Sequence, residues 1–199
     1  MLSRIRRCGS LAAPLLIAAF LCSCVPVFSI HPLYGDKDAY FDARLVGTWL
    51  DTTDSSQSPI TFERSGTNAY VVSYDDNAVI PPAKYTYECH LVKLGDRVFI
   101  DAEQADIHVA KGTVDILAIP GHMLGEVSFD GQTLTIRFLD EDWTQDALKG
   151  GMIAITHDTG DDGTPILTAT TADLQNFVLA HADDAKAFSV VVGPLRRNK

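Results

Sequence analysis

Apolar and polar residues alternate with a period of two along several segments of the chain, which is typical of strands that bury one face. The alternation is clear over residues 69–74, 84–91 and 133–138. Because successive side chains of a strand point to opposite sides, one set from each segment is expected to face a shared interior. The members of that set are Tyr70, Val72, Tyr74, Tyr85, Tyr87, Cys89, Leu91, Leu134, Ile136 and Phe138.

Turn residues between these segments predict hairpins. Gly95-Asp96 suits a two-residue type II′ turn, because glycine adopts positive φ without strain, and Asp130-Gly131 suits type I′. Residues 65–68 form a third, looser turn. The pattern predicts about eight or nine short antiparallel strands, most of them linked by hairpins. Because closure removes unpaired sheet edges, this order favours a closed antiparallel barrel or a strongly curled sheet.

Two helices are predicted in the second half of the chain. The first covers residues 141–149, with Asp140 as its N-cap and Gly150-Gly151 after its end. The second covers residues 171–182, with Thr170 as its N-cap. Its apolar residues recur at helical spacing on one side, so we expect it to pack against the outside or an end of the sheet.

The N-terminal residues have the organisation of an export signal. Three arginines near the start precede an apolar run over residues 11–22. That run is shorter than the roughly 20 residues that a membrane-spanning helix needs, so it predicts a cleaved secretory signal. Leu21-Cys22-Ser23-Cys24 resembles a lipobox, the sequence at which bacterial lipoproteins are cut and lipidated. An ordinary cleaved signal with Cys24 as a free thiol is the alternative.

The resemblance to bacterial lipoproteins implies a division of the chain. It implies a signal peptide over residues 1–23 and a lipid on Cys24, at the start of a tether. The apolar composition of the tether predicts that it continues as a docking arm, together covering residues 24–40, and the strand pattern predicts a single β-barrel-like domain over residues 41–199. The implied diacylglyceryl group and N-acyl chain on Cys24 together anchor a protein stably to a membrane. Val25, not aspartate, follows Cys24, so the outer membrane is the expected location, on the periplasmic side of a bacterial cell envelope.

Loss of the signal makes the remaining chain strongly acidic. The whole chain has 16 Lys and Arg against 26 Asp and Glu. Residues 1–23 contain three arginines and no acidic residue, which leaves 13 basic and 26 acidic side chains, a net charge of −13. Such a surface repels phosphate groups, so no nucleic-acid partner is expected. Cys89 is the one cysteine beyond Cys24, so no disulfide within the domain is predicted.

Phe41-Asp42, followed by Gly47-Thr48-Trp49, resembles the opening motif of the lipocalin superfamily. The resemblance implies that Gly47 admits a close crossing, that Trp49 closes one end of a barrel, and that a small apolar ligand binds inside. The chain departs from that family because it has no Thr-Asp-Tyr motif in its middle, no disulfide, and an additional helix. No late arginine is expected to stack on Trp49.

The predicted fold class is mainly β, an antiparallel lipocalin-like barrel or strongly curled sheet with two short α-helices.

A second resemblance covers most of the chain after the signal. Several segments are similar to a family of uncharacterised bacterial envelope proteins. The similarity implies that the protein lies in the cell envelope and that these segments belong to one intact domain, but it implies no activity. The segments are residues 29–34, 45–49, 90–95, 139–143 and 167–177.

Sequence signatures of catalysis are missing. The chain has no Gly-x-Ser-x-Gly, no phosphate-binding Gly-x-x-x-x-Gly-Lys and no His-Glu-x-x-His. Asp106 and His108 are expected on one strand face, with Asp101 on the neighbouring strand. These residues are candidates for a metal site or an acid–base pair, but a solvated charged face is the preferred interpretation. We therefore predict no catalytic residue, no cofactor and no metal ion.

Two functional hypotheses follow, with an enzyme as a third and less favoured one. In the first, the barrel interior binds a small apolar ligand, which requires a void above about 300 Å³. In the second, the core is filled and the protein is a structural or protein-interaction module of the envelope, with an exposed apolar patch around residues 28–34. The candidate lining of the pocket, or of the core, is Trp49, Phe62, Tyr70, Tyr85, Tyr87 and Phe138.

Overall fold

The computed structural model describes residues 26–35, 37–53, 58–78, 80–109, 112–114 and 121–198. The expected signal peptide and Cys24 lie outside the described residues. Within those ranges the chain forms thirteen strands and two helices. The strands are β1 (Phe28–Ser29), β2 (Ala39–Tyr40), β3 (Gly47–Asp51), β4 (Pro59–Ser65), β5 (Ala69–Asp76), β6 (Ala83–Leu94), β7 (Arg97–Val109), β8 (Gly112–Val114), β9 (His122–Asp130), β10 (Thr133–Phe138), β11 (His157–Thr159), β12 (Pro165–Leu167) and β13 (Val190–Arg197). The helices are α1 (Glu141–Lys149) and α2 (Thr171–His181).

Eight strands close into an antiparallel barrel in the order β3, β4, β5, β6, β7, β9, β10 and β13. Two pairings complete the circle. Strand β7 pairs with β9, where Ala102 lies opposite Met123, and β13 pairs with β3, where Arg197 lies opposite Trp49. Most neighbouring strands are consecutive in the chain, as the predicted hairpins require. The fold is therefore mainly β, a closed lipocalin-like barrel with two helices, which confirms the predicted fold class.

The described residues form two apolar cores, one inside the barrel and one outside its wall. Strand β7 contributes to both, because Ile100 belongs to the inner core and its neighbour Phe99 to the outer one. In the outer core, Leu174 and Val178 of α2 are fully buried together with Phe99. Burial of a side chain of this size contributes about 1.5–3 kcal/mol. Helix α2 thus covers the barrel from outside, as its apolar stripe predicts.

Both helices begin at the predicted N-caps. The side chain of Asp140 accepts a hydrogen bond from the backbone N–H of Trp143 at 2.8 Å. The hydroxyl of Thr170 accepts one from the backbone N–H of Asp173 at 3.3 Å. These bonds satisfy donors that have no partner within the helix itself. Helix α2 ends one residue earlier than predicted, because Ala182 is its C-cap.

The predicted hairpins form, with one shift of register. Strands β6 and β7 are joined by Gly95-Asp96, and Gly95 has a φ of 61°. Strands β9 and β10 end in a pair between Asp130 and Thr133, so their loop is Gly131-Gln132 and not the predicted Asp130-Gly131. The difference arises because Asp130 still takes part in strand pairing, which puts the glycine, with a φ of 58°, first in the loop.

The segment before the barrel is an ordered arm. Its strand β1 pairs with both β9 and β12, and Leu33 is fully buried. Tyr34 stacks on His90 with the ring centres 3.8 Å apart. Phe28 and Ile30 remain 36% and 39% exposed, respectively. The arm therefore docks on the barrel through strand pairing and through Leu33 and Tyr34, while Phe28 and Ile30 are covered only in part.

Candidate functional site

Trp49 and Arg197 form a stacked pair at the inner core of the barrel. The indole Nε1 of Trp49 donates a hydrogen bond to the backbone oxygen of Leu45 at 2.8 Å, which orients the ring. The guanidinium carbon of Arg197 lies 4.6 Å from the centre of the Trp49 ring. The expectation that no late arginine stacks on Trp49 is therefore wrong. Arg197 reaches it because the antiparallel pairing of β13 with β3 sets the two residues opposite each other.

The same arginine explains the glycine of the Gly-x-Trp motif. The guanidinium of Arg197 donates to the backbone oxygens of Val46 at 2.6 Å and Arg44 at 2.5 Å. Gly47 has a φ of 132°, and a Cβ atom at this position would stand 2.5 Å from Nη1 of Arg197. A side chain at position 47 would thus both strain the backbone and displace the arginine.

An apolar cavity lies within the barrel. Its volume is about 460 Å³, which exceeds the roughly 300 Å³ at the small end of ligand pockets. Space remains in the barrel because two small side chains, Cys89 and Ala102, lie directly opposite each other on neighbouring strands. Residues that line the cavity include Phe62, Val72, Tyr87, Ile136, Phe138 and Val192.

Two ionisable groups of the cavity wall, Tyr87 and Cys89, are uncharged at neutral pH. Burial raises the pKa of Tyr87 to about 12, and the neighbouring Tyr85 adds to the rise. Burial also raises the pKa of the Cys89 thiol, with a further contribution from Asp101. Both groups therefore keep their protons. A wall of this kind favours an apolar ligand, since a charge placed against it would lose its hydration without gaining a partner.

The rim of the cavity, at the end of β3, carries a charge, whereas the cavity wall is uncharged. Asp51, the last residue of β3, borders the cavity, and its Oδ1 accepts hydrogen bonds from the Thr53 backbone N–H at 2.7 Å and from the Thr53 hydroxyl at 2.6 Å. Among the described residues that line the cavity, Asp51 is the one with a formal charge. Pro26, the first residue that the structure describes, borders the cavity as well.

The structure divides the predicted lining residues into two groups. The members that line the cavity are Phe62, Tyr87 and Phe138. Trp49 and Tyr70 belong to the packed part of the inner core, and the Tyr70 hydroxyl is bonded to the backbone of Asp42. Tyr85 is half-buried and stacks on Tyr74, with the ring centres 6.0 Å apart. The pocket hypothesis therefore applies to half of the predicted residues.

The predicted grouping of Asp101 with Asp106 and His108 is not what the fold provides. All three residues belong to β7, so Asp101 is not on a neighbouring strand as expected. The side chains of Asp106 and His108 lie outside the described part of the structure. Asp101 instead pairs with His122 of β9, with 2.7 Å between Oδ1 and Nδ1. Across the residues that the structure describes, no group of three or more His, Cys, Asp or Glu side chains is placed to hold a metal ion.

Comparison with known proteins finds no relative. No family model, no curated protein and no solved structure matches the chain. In the described ranges, no helix is both long enough and apolar enough to cross a membrane. The barrel cavity is the candidate functional site on the strength of its volume and its lining.

Proposed function

We propose that this protein is a lipid-anchored lipoprotein on the periplasmic side of a bacterial cell envelope, and that its barrel binds a small apolar ligand without acting on it as an enzyme. The observation that carries the proposal is the cavity of about 460 Å³ with its uncharged wall. A ligand that fills it gains about 25 cal/mol for each Å² of apolar surface removed from water. Little of that gain is lost to reorganisation, because the cavity is already formed.

The position of Pro26 connects the cavity with the proposed anchor. Pro26 borders the cavity, and its backbone pairs with Asp140. Cys24 precedes Pro26 by two residues in the sequence, so a lipid on Cys24 would be attached two residues from the edge of the cavity. Acyl chains on Cys24 would hold this end of the barrel near the membrane surface. A ligand that leaves the bilayer would then reach the cavity over a short distance.

Probe binding tests the cavity. Residues 26–198 contain both apolar cores, so a chain of residues 25–199 purified from the periplasm keeps the folded body. We expect it to bind the neutral fluorophore N-phenyl-1-naphthylamine with one-to-one stoichiometry. Ala102→Phe fills the cavity and should abolish binding, whereas the matched control Ala180→Phe, at an exposed position of α2, should preserve it. Failure of the wild-type chain to bind would overturn the ligand-binding proposal.

Metabolic labelling tests the anchor. The full chain, expressed in bacteria supplied with radiolabelled palmitate, should incorporate the label and sediment with membranes. Cys24→Ser should lose both properties, because it removes the thiol that carries the lipid. Cys22→Ser is the matched control and should retain both, since it keeps a small residue within the lipobox. Label retained by Cys24→Ser would contradict the anchoring proposal.

A second candidate function, a structural or protein-interaction module, is favoured by the partly exposed Phe28 and Ile30 on the arm. It requires a filled core, and the open cavity weighs against that requirement. If it is the right function, the wild-type chain binds no probe. In that case, the double variant Phe28→Ser/Ile30→Ser should release a partner that crosslinks to the wild-type protein in native membranes.

A further inference from the structure

The polar end of a ligand meets a specific electrostatic environment at the cavity rim. An apolar chain that enters the cavity leaves its polar end at the opening, where it remains in contact with water. Asp51 lies there at the end of β3. The other described residues that line the cavity carry no charge, so none of them is cationic. A ligand with a negative polar end would therefore meet a carboxylate without a compensating positive charge from these residues.

The carboxylate of Asp51 is held in place. Its Oδ1 accepts hydrogen bonds from both the backbone N–H and the hydroxyl of Thr53, at 2.7 and 2.6 Å. These bonds restrain the side chain from turning away when a like charge approaches. Repulsion between like charges is stronger beside an apolar cavity than in open water, because the surroundings screen less.

The net charge of the whole molecule also disfavours a negatively charged ligand. The chain without its first 23 residues has 13 basic and 26 acidic side chains, so its overall field also repels anions. Tyr87, which lines the cavity, keeps its proton because its pKa is raised to about 12. A protonated tyrosine can donate to or accept from an uncharged polar group. No described residue of the lining carries a positive charge that could bind a carboxylate.

We infer that the cavity selects long-chain ligands whose polar end is uncharged or cationic, and that Asp51 excludes fatty-acid anions. This inference rests on the proposed ligand-binding function and adds the chemical class of the ligand. Long-chain alcohols, esters and amines belong to that class, whereas free fatty acids at neutral pH do not. Asp51 acts as a specificity-determining residue because its charge opposes that of the rejected ligand.

Competition among three molecules with the same chain tests the inference. Decanol, decylamine and decanoate are titrated at neutral pH against N-phenyl-1-naphthylamine bound to residues 25–199. We expect decanol and decylamine to displace the fluorophore, and decanoate to be weaker than decanol by at least about tenfold, which corresponds to about 1.4 kcal/mol. Asp51→Asn keeps the Oδ1 acceptor for Thr53. It should reduce severalfold the ratio of the decanoate concentration to the decanol concentration at which half of the fluorophore is displaced. The control Asp130→Asn, at an exposed position of the hairpin between β9 and β10, should leave the ratio unchanged.

The outcomes separate this inference from the proposed function. Decanoate that competes as well as decanol overturns the inference while leaving ligand binding intact. Absence of any fluorophore binding overturns both. Raised salt provides a measurement that needs no variant: it should narrow the difference between decanoate and decanol, because added ions screen the charge at the exposed rim. A difference that is unaffected by both salt and Asp51→Asn would also overturn the inference.

Discussion

His122 and Asp101 form a buried hydrogen-bonded pair on the outer face of the barrel wall, with 2.7 Å between Nδ1 and Oδ1. The other carboxylate oxygen of Asp101 accepts a hydrogen bond from the backbone N–H of Leu33 at 2.6 Å. One side chain of β7 thus holds both a neighbouring strand and the arm that leads from the proposed anchor. The pair links the arm to the barrel on which it lies.

Removal of the Asp101 carboxylate should destabilise the protein. Asp101→Ala leaves the N–H of Leu33 and the ring of His122 without their acceptor in a buried place, so we expect the free energy of unfolding to fall by about 2–4 kcal/mol. Urea denaturation measures the change. The control is Glu103→Ala, two residues along the same strand and less buried. It should lower the free energy of unfolding by less than about 0.5 kcal/mol. Equal costs for the two variants would contradict the prediction.

The His122–Asp101 pair should also make stability depend on pH. Burial by itself lowers the pKa of His122, but the hydrogen bond and charge of Asp101 outweigh it and raise the pKa above the usual 6.5. Protonation is thus favoured by folding, so the stabilisation is complete below pH 6.5 and is lost as the pH rises through the higher folded value.

Comparison of the wild type with His122→Asn, in urea at several values between about pH 6 and pH 8, isolates this contribution. We expect the advantage of the wild type to shrink as the pH rises. The comparison cancels most of the effect of His90, whose pKa is lowered chiefly by burial and which is present in both chains. A difference that stays constant over this range would show that His122 does not titrate in the expected direction.

Loss of the arginine that stacks on Trp49 should destabilise the barrel. Arg197→Met keeps a chain of methylene groups but removes the charge over the ring and two hydrogen bonds to backbone oxygens. We expect a loss of about 1–3 kcal/mol in the free energy of unfolding. Arg196→Met changes an adjacent exposed arginine and should have an effect within about 0.5 kcal/mol. The prediction fails if Arg197→Met is as harmless as this control.

A side chain at Gly47 should be more harmful than one at another positive-φ glycine. Gly47→Ala places Cβ 2.5 Å from Nη1 of Arg197, whereas Gly66→Ala, at a φ of 59°, meets nothing within 4 Å. Gly47→Ala should be costlier by at least about 1 kcal/mol, because a φ of 132° strains alanine more than a φ of 59° does and because Cβ must displace a guanidinium held by stacking and two hydrogen bonds. In the double variant with Arg197→Met the excess should shrink, because the guanidinium that clashes is gone. Full additivity of the two changes would argue against this explanation.

The thiol of Cys89 should be unreactive in the folded protein. It is 2% exposed, and burial raises its pKa, so the thiolate that attacks disulfide reagents is scarce. In residues 25–199 it is the single cysteine, so labelling by 5,5′-dithiobis(2-nitrobenzoate) reports on this position alone. We expect the reaction in buffer to be slower than in concentrated urea by at least about a hundredfold. Rapid stoichiometric labelling of the native chain would show that the cavity exposes the sulfur.

Local sequence patterns predicted the elements of the fold well, because their causes are local. Helix α1 covers the predicted residues 141–149, and Asp140 and Thr170 cap the two helices as expected. Strand alternation identified the inward face of residues 69–74 and 133–138, since a two-residue period depends on the chain itself. The loop that begins at Gly131 shows where local patterns fail. Pairing between the two strands decides where their hydrogen bonding ends and the turn begins.

The sequence by itself determined a mainly β fold with two capped helices and an apolar barrel interior, and it predicts an export signal and a lipid anchor on Cys24. Tertiary structure alone decided which interior positions stay empty, so that Tyr87 lines a cavity while Trp49 packs against Arg197. It also decided that Asp101 meets His122. The reason is physical: alternation along a strand sets the side to which a residue points. The register between distant strands and the summed side-chain volumes set what it meets there.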